Sequence, residues 1–154
     1  MSTAANTLIA SATPANRLVD PQQVAEVVAK ACPADAYRGK RVLLIVPDGT
    51  RTAPVGLLFK TIHAAVGPMA SKLDVMIALG THQPMSETEI CGRLEISFDE
   101  RRSAYRGVEF INHEWDNPSA LKEIGTIYSG EIGKLTDGLF AMDVPVEINK
   151  RVFE

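Results

Sequence analysis

The chain has 154 residues, 45% of them apolar and 23% charged, with a formal charge of -3 at neutral pH. That length suits one domain able to bury roughly two-thirds of its unfolded surface. The basic residues are scattered in runs of no more than two, so there is no electrostatic footprint for nucleic acid.

Two cysteines, Cys32 and Cys91, lie far apart and share no spacing with another thiol, which argues against a zinc knuckle or a redox pair. No apolar run approaches the roughly 20 residues that cross a bilayer, and the N-terminus lacks the basic-then-apolar order of a signal peptide. A cytoplasmic protein is the simplest expectation.

Residues 1–19, rich in Ala, Ser, Thr and Asn, are expected to form a flexible arm, and 20–154 a single α/β domain. Asp20 reads as an N-cap with Pro21 in the first helical position, and Val24, Val27, Val28 and Ala31 recur on one face, predicting a helix over 21–31. The continuous apolar run 42–46 predicts a strand covered on both faces of a parallel sheet. Val55, Leu58, Phe59, Ile62 and Ala65 predict a helix over 54–66, closed by Gly67-Pro68. A second strand follows at 73–79.

Ser86 with Glu89 three residues on is a capping-box sequence, predicting a helix over 86–95. A third strand is expected at 108–112. Beyond it the texture breaks into short segments with Gly125, Gly130, Gly133 and Gly138, and the alternation of Val144, Val146 and Ile148 predicts late strands or hairpins. The fold class that follows is α/β, Rossmann-like, a mainly parallel sheet flanked by helices with short strands or hairpins near the C-terminus.

Two loops in this pattern carry chemistry. Asp48, Gly49, Thr50 and Arg51 follow the first strand and offer a carboxylate, a flexible backbone, a hydroxyl and a guanidinium ahead of a helix, a set suited to a phosphate or carboxylate ligand. The same residues also allow an N-cap Asp salt-bridged to Arg51, and the glycine spacing of a P-loop is absent. His82, between Leu79-Gly80 and Pro84, can give or take a proton near neutral pH, or act as a plain capping group. Right-handed crossovers would bring Asp48, Arg51 and His82 to one sheet edge. His63 reads as an amphipathic-helix residue and His113, just after the third strand, as structural; the three histidines have no metal-binding spacing.

The element Asp48-Gly49-Thr50-Arg51-Thr52-Ala53-Pro54, followed one strand later by Gly80-Thr81-His82-Gln83-Pro84-Met85, resembles the N-terminal domain of the lactate racemase family. So do Ser86 to Ile90, Asn112-His113, Leu121 to Thr126 and Val146 to Val152; the similarity spans 35–154. The resemblance implies a 2-hydroxy acid racemase or epimerase that transfers hydride to a nickel pincer nucleotide. It assigns cofactor binding to Asp48, Gly49, Thr50 and Arg51, substrate carboxylate binding also to Arg51, and acid/base catalysis at the substrate hydroxyl to His82. It assigns no metal ligand to this chain.

The family's second catalytic histidine, its Gly-Gly-Arg-Lys element with the cofactor-attaching lysine, and its nickel-ligand histidine have no counterpart in these 154 residues. The chain is therefore expected to be part of a longer enzyme, incomplete alone, with a C-terminal domain or partner subunit, a small 2-hydroxy acid and a homo-oligomer as expected partners, and no nucleic acid or membrane. Residues 127–145 are extra relative to the expected family loop. The alternative is a non-catalytic nucleotide- or carboxylate-binding module or subunit.

Overall fold

The structure, a computed structural model, describes residues 10–12 and 18–154, so most of the arm expected at 1–19 lies outside the described residues. These fall into two compact units: the chain up to Ala78 together with Met85–Ile111, and Leu79–Pro84 together with Asn112–Glu154. No helix among the described residues is long and apolar enough to cross a membrane.

The first unit opens with α1 (Pro21–Ala31), whose N-cap Asp20 accepts from the Gln23 amide while the Gln23 side chain accepts from the Asp20 amide. A parallel three-stranded sheet follows in the order β1 (Arg41–Pro47), β2 (Lys72–Ala78), β3 (Phe110–Asn112). β1 and β2 run in register from Arg41 opposite Lys72 to Pro47 opposite Ala78, so both strands end at the same edge. Their connection is α2 (Val55–Val66), which buries Val55, Phe59 and Val66.

The sheet is not uniformly covered. The central strand β2 is buried from Leu73 to Ile77, whereas Ile45 on the edge strand β1 is 55% exposed. The apolar run 42–46 was expected to be covered on both faces; it is apolar because it must pair and half-pack, and an edge strand has a neighbour on one side only.

After β2 stands the helix expected over 86–95, α3 (Glu87–Arg93), and a further short helix, α4 (Phe98–Arg102), follows it. The break falls at Glu95, held at φ 53°, and Ser97 then starts a second capping box with Glu100. Glu95 lies so close to α2 that a Cβ on Gly56 would stand 2.6 Å from its side chain, so glycine is what allows the approach. The third strand is shorter than its apolar run: Val108 is buried, but its amide is used in a turn to Tyr105.

The second unit holds an antiparallel pair, β4 (Leu121–Ile127) and β5 (Val144–Asn149), with an irregularity between Glu123 and Gly125. Between them lies α5 (Ser129–Leu135), inside the glycine-containing stretch for which the sequence predicts only short segments. The Ser129 amide donates to Asp143, tying the start of α5 to the entry of β5.

Candidate functional site

Asp48 follows directly on β1 and is 6% exposed. Its Oδ1 accepts from both the Thr50 amide at 3.1 Å and the Thr50 hydroxyl at 2.6 Å, a local turn in which the side chain replaces a backbone carbonyl. Asp48 is not the cap of α2, because that position is Pro54 and the loop 48–54 stands between. Arg51 forms no ion pair with it; among the described residues the exposed Arg51 guanidinium has no hydrogen-bond or salt-bridge partner.

Gly49 is exposed, has no positive φ, and a Cβ built on it would meet nothing within 4 Å. Neither backbone strain nor internal crowding requires glycine there. What its missing side chain leaves is open space beside the Asp48–Thr50 turn.

The loop also touches a residue that sequence reasoning passed over. Arg93, in the last turn of α3, donates from Nε to the Pro47 carbonyl at 3.1 Å and from Nη2 to the Arg51 carbonyl at 2.8 Å. No local pattern marks it, since a basic residue in the last turn of a helix is also what the helix dipole favours.

In the second unit, the turn after β2 is set by Gly80 at φ 60°, a conformation that side-chain-bearing residues rarely adopt. The His82 amide donates to the Leu79 carbonyl at 3.1 Å, while Leu79 is 2% exposed. The turn is thus anchored on a buried residue and carries His82 at an exposed position. The structure brings Asp48, Gly49, Thr50 and Arg51 together in one loop; His82 belongs to the other unit.

The other histidines have local explanations. His113 is half-buried, with its Nδ1 3.3 Å from Nδ2 of the buried Asn149. Asn149 Oδ1 accepts from the Arg151 amide, so the Asn149 side chain ties His113 to the C-terminal turn. His63 lies against Phe59 and edge-on to Tyr105, and burial pushes its pKa below the ordinary value. It lines a cavity of about 200 Å³ with Lys72 and Gly107, at the start of β2 and away from the Asp48 loop. Among the described residues no three His, Cys, Asp or Glu side chains are grouped to hold a metal ion. Burial raises the Cys91 thiol, which makes it less reactive.

The model of the lactate racemase N-terminal domain matches residues 15–154. The chain belongs to that family. A crystal structure of a structural-genomics target protein from Thermotoga maritima superposes with a TM-score of 0.76 at 30% identity, covering 88% of this chain. The chain spans 31% of the length of that Thermotoga protein. No curated protein matches the chain. The lactate racemase N-terminal domain match contains both loops in full, so Asp48 to Arg51 and His82 lie within the family's own region.

Proposed function

We propose that this chain is the cofactor- and substrate-binding N-terminal domain of a lactate-racemase-like 2-hydroxy acid racemase or epimerase. The observation that carries the reading is the Asp48–Arg51 loop: a turn closed on itself by Asp48 and Thr50, open above Gly49, with an exposed guanidinium at Arg51. These residues fit the nucleotide end of a nickel pincer nucleotide, because anionic oxygens need open approach and donors rather than a bulky wall. Bound there, such a cofactor would supply the centre that accepts and returns hydride.

In this reading Arg51 pairs with the substrate carboxylate, for which a planar guanidinium offers two parallel N–H donors. His82 takes the proton of the 2-hydroxyl as the C–H bond breaks and gives it back when the hydroxyl re-forms. The attaching lysine and the second acid/base belong to a further domain or a partner subunit. Self-association and a cytoplasmic location are part of the same proposal.

Titration with nicotinamide mononucleotide, a pyridinium mononucleotide without metal, tests the loop. Chemical-shift changes are expected at the Gly49 and Thr50 amides, with affinity falling about tenfold or more in Arg51→Ala, the scale of a lost charge-assisted contact. Shifts elsewhere, with none in this loop, would overturn the reading. The Asp48 carboxylate, whose Oδ1 is engaged inside the loop, also favours a second reading, a binding module without catalysis. That module predicts mononucleotide binding with no dependence of racemisation on His82 in the full-length enzyme.

A further inference from the structure

We infer that Arg93 is a positioning residue for the Asp48–Arg51 loop, one guanidinium gripping both of its ends. The two carbonyls it holds belong to Pro47, the last residue of β1, and to Arg51, so its hydrogen bonds enclose Asp48, Gly49 and Thr50. Nε–H and Nη2–H of a guanidinium project side by side from a rigid plane, so bonding both fixes the separation of the two carbonyls. An ammonium, a point donor on a flexible stem, cannot impose that spacing.

α3 is a sound base for such a grip. Its start is fixed by the reciprocal Ser86–Glu89 capping box, its Ile90 and Cys91 are buried, and Arg93 itself is half-buried. Among the described residues the Arg93 guanidinium makes no salt bridge, so its charge is spent on two backbone carbonyls. The loop is thus closed twice: inside by the Asp48–Thr50 turn and outside by Arg93. The Arg51 main chain is held while its side chain remains exposed, so the ligand-facing guanidinium projects from a fixed origin. Holding the loop before ligand arrives removes an ordering cost from binding.

The ligand half of this inference rests on the proposed function; the loop half does not. Amide hydrogen exchange and nicotinamide mononucleotide titration are measured on the whole chain for wild type, Arg93→Lys and Arg93→Ala. In Arg93→Ala, exchange of the Thr50 amide is expected to rise, mononucleotide affinity to fall about tenfold, and the Val75 and Ile77 amides of β2 to stay protected. Arg93→Lys, with one point donor, should fall between, and added methylguanidinium should partly restore Arg93→Ala. Unchanged Thr50 exchange in Arg93→Ala would overturn the inference. Loss of protection in β2 together with the loop, in both variants, would make Arg93 a general fold residue and overturn it equally. A wild-type chain that does not bind the mononucleotide defeats the cofactor reading alone, and Thr50 exchange still decides the role of Arg93.

Discussion

Gly49 separates fold from function at a single residue. With open space around a Cβ and no positive φ, Gly49→Ala should leave the melting temperature unchanged or slightly raised, since alanine narrows the unfolded ensemble. Under the proposed function it should still weaken mononucleotide binding, by filling the approach to the Asp48–Thr50 turn; thermal denaturation and titration of one sample check both halves. His82 makes the complementary case. In a full-length enzyme carrying this domain, His82→Ala should lower turnover about a hundredfold or more while leaving cofactor binding nearly intact, as for a lost acid/base. Steady-state kinetics beside a binding isotherm measure the split. The contents of the first loop were readable from residue types, but the use of Asp48 was not: a carboxylate ahead of a helix looks like a cap until the loop length is known.

Among the elements, α3 and α4 share one device. Hydrogen bonds from the Ser86 side chain and amide hold the Glu89 carboxyl below its ordinary pKa, and those from the Ser97 amide and side chain do the same for Glu100. A depressed folded pKa contributes stability that is present above the unfolded value, about 4.3, and is lost as pH falls through the folded value. The melting temperature should therefore drop on acidification below about pH 4.3, and the drop should be shallower in the Ser86→Ala/Ser97→Ala variant, as followed by circular dichroism across a pH series. The first capping box was legible in the sequence. The second repeats the same spacing, Ser97 to Glu100, but α4 is only five residues long, too short for an apolar period to mark it as a helix. α5 was hidden for a different reason: Gly130 and Gly133 lower helix propensity, and only the link from the Ser129 amide to Asp143 and the flanking strands show why a helix stands there.

For the molecule as a whole, stability should depend on β2 more than on β1. Ile77 is wholly buried and Ile45 is 55% exposed, although both are isoleucines in apolar runs of a parallel pair. Ile77→Ala should cost about 2–5 kcal/mol and Ile45→Ala far less, measurable by denaturant unfolding. By itself the sequence determined α1, α2, α3, the strands of the parallel sheet and their order along the chain, because helix faces, β-branched runs and the Asp20 and Ser86 caps are local signals that need no partner. It also determined the family, since the two loops keep their residues in order along the chain. Tertiary structure alone decided which strand is central and that Arg93 reaches the Asp48 loop from α3 across 42 residues of sequence. These are contacts between segments remote in sequence, and a residue's own type and spacing carry no record of what the folded chain brings beside it.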